Sequence, residues 1–228
     1  GAAAIAAAAA KAGVKTLIHV SAIGADAEGE SLYARTKGEA ERAVREAVPT
    51  ATIMRPSVIF GPEDQFFNKF ATLMSMAPAF APLPLLIGGG ATKFQPVYVD
   101  DVADAICAAL DRKEAAGETF ELGGPRTYTF RQLLEFVLEE AQLRRILIPV
   151  PFSIAPALGF AGELMGLTPF FAPPITRDQV KLMKRDNVVA VGARGLADLG
   201  VTPKTVEAIA PAYLARFRKY GQFAERLA

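Results

Sequence analysis

The chain has 228 residues, with 25 Lys+Arg against 24 Asp+Glu and a formal charge of +1. Near-neutrality excludes a nucleic-acid protein, whose phosphate contacts need a basic surface. The single Cys107 and single His19 exclude an internal disulfide framework and leave no Cys/His set for a metal, while 51% hydrophobic residues exclude general disorder.

The first expected element is an alanine-rich helix over Gly1 to Ala12, stopped by Gly13. It carries none of the charge and apolar zoning of a targeting peptide. Because the chain opens on Gly1 and not Met, it is expected to be processed, tagged or truncated, or to start part-way into a longer polypeptide. The apolar run Thr16 to Val20 reads as a buried strand and Ser31 to Val48 as a helix closed by Pro49. On that helix Glu39, Glu41, Arg42 and Arg45 are assigned to the wet side. Ala51 to Met54 is the next buried strand, ending at Arg55-Pro56.

Further on, Phe66 to Met76 reads as helix and Phe94 to Val99 as extended chain. Asp100 or Asp101 is placed as the cap of a helix from Val102 to Asp111. Thr119 to Leu122 is a strand ended by Gly123-Gly124-Pro125, and Thr129 caps a helix from Phe130 to Gln142. Arg145 to Val150 is extended and Thr176 to Arg185 a short helix. Thr202 is expected to cap a last helix, Pro203 to Lys219, with proline at its favoured first position. Strands alternating with helices argue for a doubly wound α/β fold with a parallel sheet, and the later mixture for a small α+β lobe.

Two long stretches, Phe70 to Thr92 and Ile146 to Ile175, are uncharged apart from Glu163. Their length would permit a membrane span, but their many prolines oppose one. Two readings stay open: buried packing, or an apolar contact face for a membrane surface or a membrane-protein partner. Small glycines at Gly159, Gly162 and Gly166 read as a close helix contact, and Gly88-Gly89-Gly90 as a loop hinge. His19 reads as a neutral, hydrogen-bonded strand residue, Cys107 as an inert buried thiol, and Arg216, Arg218 and Lys219 as a solvated face.

Tyr33-Ala34-Arg35-Thr36-Lys37 carries the chemistry. Positions i and i+4 share a helix face, so a lysine ammonium stands beside a phenol. A nearby cation favours phenolate and is expected to lower the tyrosine pKa. A phenol tuned in this way exchanges a proton with a carbonyl or carbinol oxygen, and the lysine reaches a nucleotide ribose.

The Tyr/Lys helix lies between Val20-Ser21-Ala22 and Arg55-Pro56-Ser57-Val58-Ile59-Phe60-Gly61-Pro62. Gln95-Pro96-Val97-Tyr98-Val99-Asp100-Asp101-Val102 follows. This order resembles the extended and atypical short-chain dehydrogenase/reductase superfamily, the NAD-dependent epimerase/dehydratase-like group with a Rossmann-like sheet. The resemblance implies that Tyr33 and Lys37 form the catalytic pair. It also implies that Ser21, Tyr33, Lys37, Pro56, Ser57, Val58 and Ile59 lie against NADP(H) or NAD(H). Residues 1–62 would then be the C-terminal portion of the dinucleotide domain. Residues 63–228 would hold the remaining strands, interleaved with a substrate- and partner-side lobe.

Phe60-Gly61-Pro62-Glu63-Asp64-Gln65-Phe66-Phe67-Asn68-Lys69-Phe70-Ala71 and Ile175-Thr176-Arg177-Asp178-Gln179-Val180 narrow this further. They are similar to the dehydrogenase-like accessory subunits of respiratory complex I and their bacterial relatives. That subgroup implies a dinucleotide held structurally, partners among complex I subunits and the membrane surface, and no metal. It places the protein at the cytoplasmic face of a bacterial inner membrane or on the mitochondrial matrix side. The alternatives are an active sugar-nucleotide epimerase, dehydratase or reductase, and a dinucleotide-sensing regulator.

Two departures stand out. Against the family's Val-Ser-Ser, Ser21 takes the first serine and Ala22 the second, usually catalytic, one, so a donor to the substrate oxygen is missing unless Ser21 substitutes. The glycine-rich pyrophosphate turn is also absent. The chain is therefore expected to begin at the helix before the family's fifth strand.

Overall fold

The computed structural model describes residues 1–76, 84–165, 175–219 and 221. In chain order the elements are α1 (Ala2–Lys11), β1 (Ile18–Val20), α2 (Leu32–Ala47), β2 (Thr52–Pro56) and β3 (Ile59–Phe60). Then come α3 (Phe67–Met76), β4 (Leu85–Ile87), β5 (Lys93–Phe94), β6 (Val97–Tyr98), α4 (Val99–Leu110) and β7 (Thr119–Leu122). The last are β8 (Tyr128–Thr129), α5 (Phe130–Glu140), β9 (Ile148–Val150), α6 (Ala155–Met165), α7 (Arg177–Leu182) and α8 (Val206–Leu214).

The chain folds as two units, each made of three stretches of sequence. The first holds residues 1–58, 95–125 and 187–204. Its sheet has the order β1-β2-β7, parallel throughout, as strand–helix alternation requires. Register places His19 beside Ile53, Ile53 beside Thr119, and Arg55 beside Glu121. The core between α1, α2 and the sheet is built from small residues: Ala6, Val44, Val48, Ala51 and Ile53, with Leu17 at its margin. The first strand is shorter than expected and lies at the sheet edge, where Val20 is exposed.

α4 starts at Val99 with Tyr98 as its N-cap residue, so neither Asp100 nor Asp101 caps it. Asp101 lies in the first turn, where its carboxylate suits the helix dipole. It is buried and accepts the Lys204 amide at 2.8 Å. The expected extended run from Phe94 to Val99 is interrupted at Pro96, which has no N–H to give a ladder. Cys107 is exposed, not buried: it lies on the outer side of α4, whose inner side is Val102, Ala105 and Ala109.

The second unit holds residues 59–94, 126–186 and 205–228. Strand β4 pairs in parallel with β9, and β5 antiparallel with β8. Its centre is aromatic. Phe66 packs edge-on to Phe67, Phe70 and Phe130 with ring centroids 5.1–6.2 Å apart, the geometry that ring quadrupoles favour. Thr129 and Thr176 cap α5 and α7 through complete capping boxes with Gln132 and Gln179. α8 begins at Val206, capped by Thr205, and carries Pro211 inside it, so the Thr202–Pro203 start is displaced by one turn. Arg216 and Lys219 are exposed, as a solvated face requires, with Arg216 donating to Asn68 Oδ1 at 2.7 Å, whereas Arg218 is half-buried and donates to the Glu140 carbonyl at 2.8 Å.

A Cβ at Gly162 would meet the Ile175 carbonyl oxygen at 2.2 Å, and one at Gly159 the Arg177 amide nitrogen at 2.8 Å. These glycines are where α6 approaches the start of α7; Gly166 lies outside the described residues. Gly88, Gly89 and Gly90 all have positive φ and form a turn after β4. No helix among the described residues is long and apolar enough to cross a membrane. Both uncharged stretches extend into undescribed residues. The second one is two-sided: Val150, Ala155 and Leu158 pack with Ile87 and Val180, while Ile154, Phe160 and Leu164 are exposed.

Candidate functional site

In an open parallel sheet, ligands sit beyond the carboxyl ends of the strands. At that end of the first unit, Ser21 follows β1, and Ser57 and Val58 follow Pro56 of β2. The next helix after β1 brings Tyr33 and Lys37 in its first two turns. Ile59 opens the second unit.

α2 starts where it does because Ser31, with extended backbone, accepts the Ala34 amide at its hydroxyl. The loop before it is bound to the helix by Asp26 N–H to the Ala34 carbonyl at 3.0 Å. Arg35 adds a hydrogen bond back to the Gly29 carbonyl at 2.8 Å. A Cβ on Gly38 would lie 2.2 Å from the Ala27 amide nitrogen, so only glycine admits this approach. The first turns of α2 are thereby held in place.

Within them the Lys37 ammonium lies 5.7 Å from the Tyr33 ring centroid. Tyr33 is 45% exposed. Its pKa is nonetheless raised by burial, not lowered by the lysine. Desolvation of the phenolate is the cause of the shift. Ser21 is buried, and its amide donates to the Met54 carbonyl at 2.7 Å. Its hydroxyl oxygen has no hydrogen-bond partner among the described residues, and neither has His19 Nε2. His19 was expected to be hydrogen-bonded. Instead burial first, then the Lys37 charge, lower its pKa, against an opposing effect of Glu41.

Ser57 is engaged elsewhere. Its amide donates to the Leu122 carbonyl at 2.9 Å and its hydroxyl to Asn187 Oδ1 at 2.6 Å. Val58 accepts the Val97 amide at 3.0 Å. The turn after β2 is thus braced by Asn187, a residue that no local pattern singles out. Gln95 braces the same end, donating to the Gly124 carbonyl at 2.8 Å and accepting the Val189 amide at 3.0 Å.

Sequence periodicity also missed Glu41. It is buried, not on the wet side, and its carboxylate receives Arg55 Nε at 2.9 Å and Nη2 at 2.6 Å. The four-residue spacing of Tyr33, Lys37, Glu41 and Arg45 was the available signal. No group of three or more metal-ligating side chains occurs among the described residues.

A parallel sheet whose carboxyl end carries a Tyr/Lys helix defines a Rossmann-like α/β protein of the short-chain dehydrogenase type. Residues 1–123 match the NAD dependent epimerase/dehydratase family, to which this chain belongs. The chain is 38% identical over 217 residues to the mouse protein NADH dehydrogenase (ubiquinone) 1 alpha subcomplex subunit 9, mitochondrial. That alignment covers 95% of this chain and 55% of the mouse protein. It is 37% identical over 214 residues to the Arabidopsis thaliana protein of the same name, covering 92% of this chain and 52% of that one. The chain therefore spans about half the length of the curated relatives it matches. Among solved structures, a dTDP-glucose 4,6-dehydratase double mutant from Streptomyces venezuelae with NAD and DAU bound superposes with a TM-score of 0.66. Its sequence is 19% identical, and the match covers all of this chain and 67% of that one. The likeness shows the fold.

Proposed function

We propose that this chain belongs to an accessory subunit of respiratory complex I and holds NADP(H) or NAD(H) as a structural group, with little or no turnover. The observation that carries this reading is the 37–38% identity, over more than nine-tenths of the chain, to subunits named for NADH dehydrogenase (ubiquinone). The protein is placed peripherally on the matrix side of the mitochondrial inner membrane, or on the cytoplasmic face of a bacterial one. Its partners are complex I subunits and the membrane surface. The exposed Ile154, Phe160 and Leu164 support an apolar contact.

The residues fit a nicotinamide dinucleotide. The buried, unpartnered Ser21 hydroxyl needs a polar partner that a ligand would provide. Lys37 is the hydrogen-bond donor to ribose hydroxyls, and Tyr33 points the chemistry toward the nicotinamide side. Pro56, Ser57 and Val58 supply the surface against the ring. With Ser57's hydroxyl given to Asn187, that contact is by backbone and apolar atoms. The bound group supplies hydride-transfer chemistry. Two features oppose its use. Burial disfavours the Tyr33 phenolate, the form that would take a proton from a carbinol. Ala22 has no hydroxyl where a substrate oxygen would be bound.

A second reading, an active sugar-nucleotide epimerase, dehydratase or reductase, draws on the juxtaposition of Lys37 and Tyr33. One experiment separates the two. The tagged protein is expressed in its native cells, membranes are mildly solubilised, and complexes are resolved on a native gel. Co-migration with NADH:ubiquinone oxidoreductase activity is expected. Recovery only as a free protein that oxidises NADPH, with activity lost on Tyr33→Phe, overturns the accessory reading.

A further inference from the structure

The face of α2 that carries Tyr33 and Lys37 continues for two more steps of four residues, to Glu41 and Arg45. Both bind the sheet. Glu41 forks with Arg55 of β2, and the same guanidinium stands 3.7 Å from Glu121 of β7. Glu121 in turn accepts the Ala190 amide at 2.8 Å. Arg45 donates to Thr119 Oγ1 at 2.6 Å and to the Gly117 carbonyl at 3.0 Å.

The sheet face under α2 explains why these bonds matter. Parallel register puts His19, Ile53, Arg55, Thr119 and Glu121 on it; of these five only Ile53 is a buried apolar residue, with Ala51 packed beside it. On α2 itself the buried residues are Ala34, Glu41 and Val44. The 26–29 loop and Arg45 also hold α2, but its two small buried apolar side chains, Ala34 and Val44, add little to fixing its rotation over the sheet, because apolar contact is non-directional. A bidentate carboxylate–guanidinium pair is directional. Glu41 lies two turns, about 12 Å, along the axis from Tyr33 and one turn from Lys37.

We infer that Glu41 is a positioning residue for the Tyr33–Lys37 pair: its fork with Arg55 sets the rotation and axial register of α2, and thereby the place of the Lys37 ammonium at the dinucleotide. This inference rests on the reading of Lys37 as a ribose-binding group.

The test is a double-mutant cycle on the full-length protein, with NADPH and NADH binding followed by their fluorescence, and folding checked by thermal melts. Glu41→Gln is nearly isosteric and removes the charge. It is expected to weaken binding about tenfold alone, and less than about twofold in a Lys37→Met background, because it acts through Lys37. A merely structural role would weaken binding by the same factor in both backgrounds, and that result overturns the inference. Undiminished binding by folded Glu41→Gln also overturns it. Should Glu41→Gln fail to fold, Arg55→Lys keeps the charge between the carboxylates while removing the fork. The same suppression by Lys37→Met is then expected, and equal loss in both backgrounds overturns. If Lys37→Met itself binds like the wild type, the ribose-binding reading fails first and takes the inference with it. If Lys37→Met weakens binding and Glu41→Gln does not, only the positioning role falls.

Discussion

A methyl group at Gly38 would collide with the backbone at Ala27, 2.2 Å from its nitrogen, and neither atom sits on a flexible side chain. Gly38→Ala therefore forces the 26–29 loop off α2, although alanine is the better helix former. The expected cost is about 1–3 kcal/mol, by analogy with overpacked cores. A thermal or urea melt measures it, and an unchanged or raised midpoint would show that the loop yields freely. The same scale shows what one sequence can convey. Tyr33 and Lys37 are legible because their partner relation lies within one helix turn. Glu41 is not, since its counter-ion Arg55 is on another element and only the folded register brings them together. A buried carboxylate looks like a surface one until its fork is visible. The direction of the Tyr33 pKa was misread for a similar reason: spacing gives the lysine's proximity, but not the desolvation.

Helices α5 and α7 begin where a threonine and a glutamine three residues later satisfy each other's backbone, and this pattern is visible in sequence. α8 shows where such reading stops. Thr202 followed by Pro203 has the look of a cap and first-turn proline. The Lys204 amide, however, is taken by Asp101, and the helix starts one turn on, with Thr205 accepting the Ala208 amide at 3.2 Å. A distant acceptor that the local pattern cannot contain decides between two caps. Thr205→Ala is expected to cost about 1 kcal/mol and Thr202→Ala nearly nothing, since only the former loses a cap bond. Paired denaturant curves check this, and equal losses would contradict the cap at Thr205.

Across the whole chain, the parallel sheet is legible because β1, α2 and β2 follow one another directly. The third strand, β7, is not placed by any local signal: it pairs with β2 from more than sixty residues away, through contacts such as Arg55 beside Glu121. The apolar stretches divide the same way. Composition tells that they avoid water, and the fold shows that part of the second packs on Ile87 and Val180 while another part faces outward. What remains most exposed to test is whether the α2 face holds a dinucleotide at all. The direct measurement is the nicotinamide dinucleotide released on denaturing the protein purified from its native cells, wild type against Lys37→Met of matched stability. Stoichiometric release from the wild type and loss in the variant are expected. No dinucleotide in the wild type, or equal retention by both, would contradict the assignment of this face.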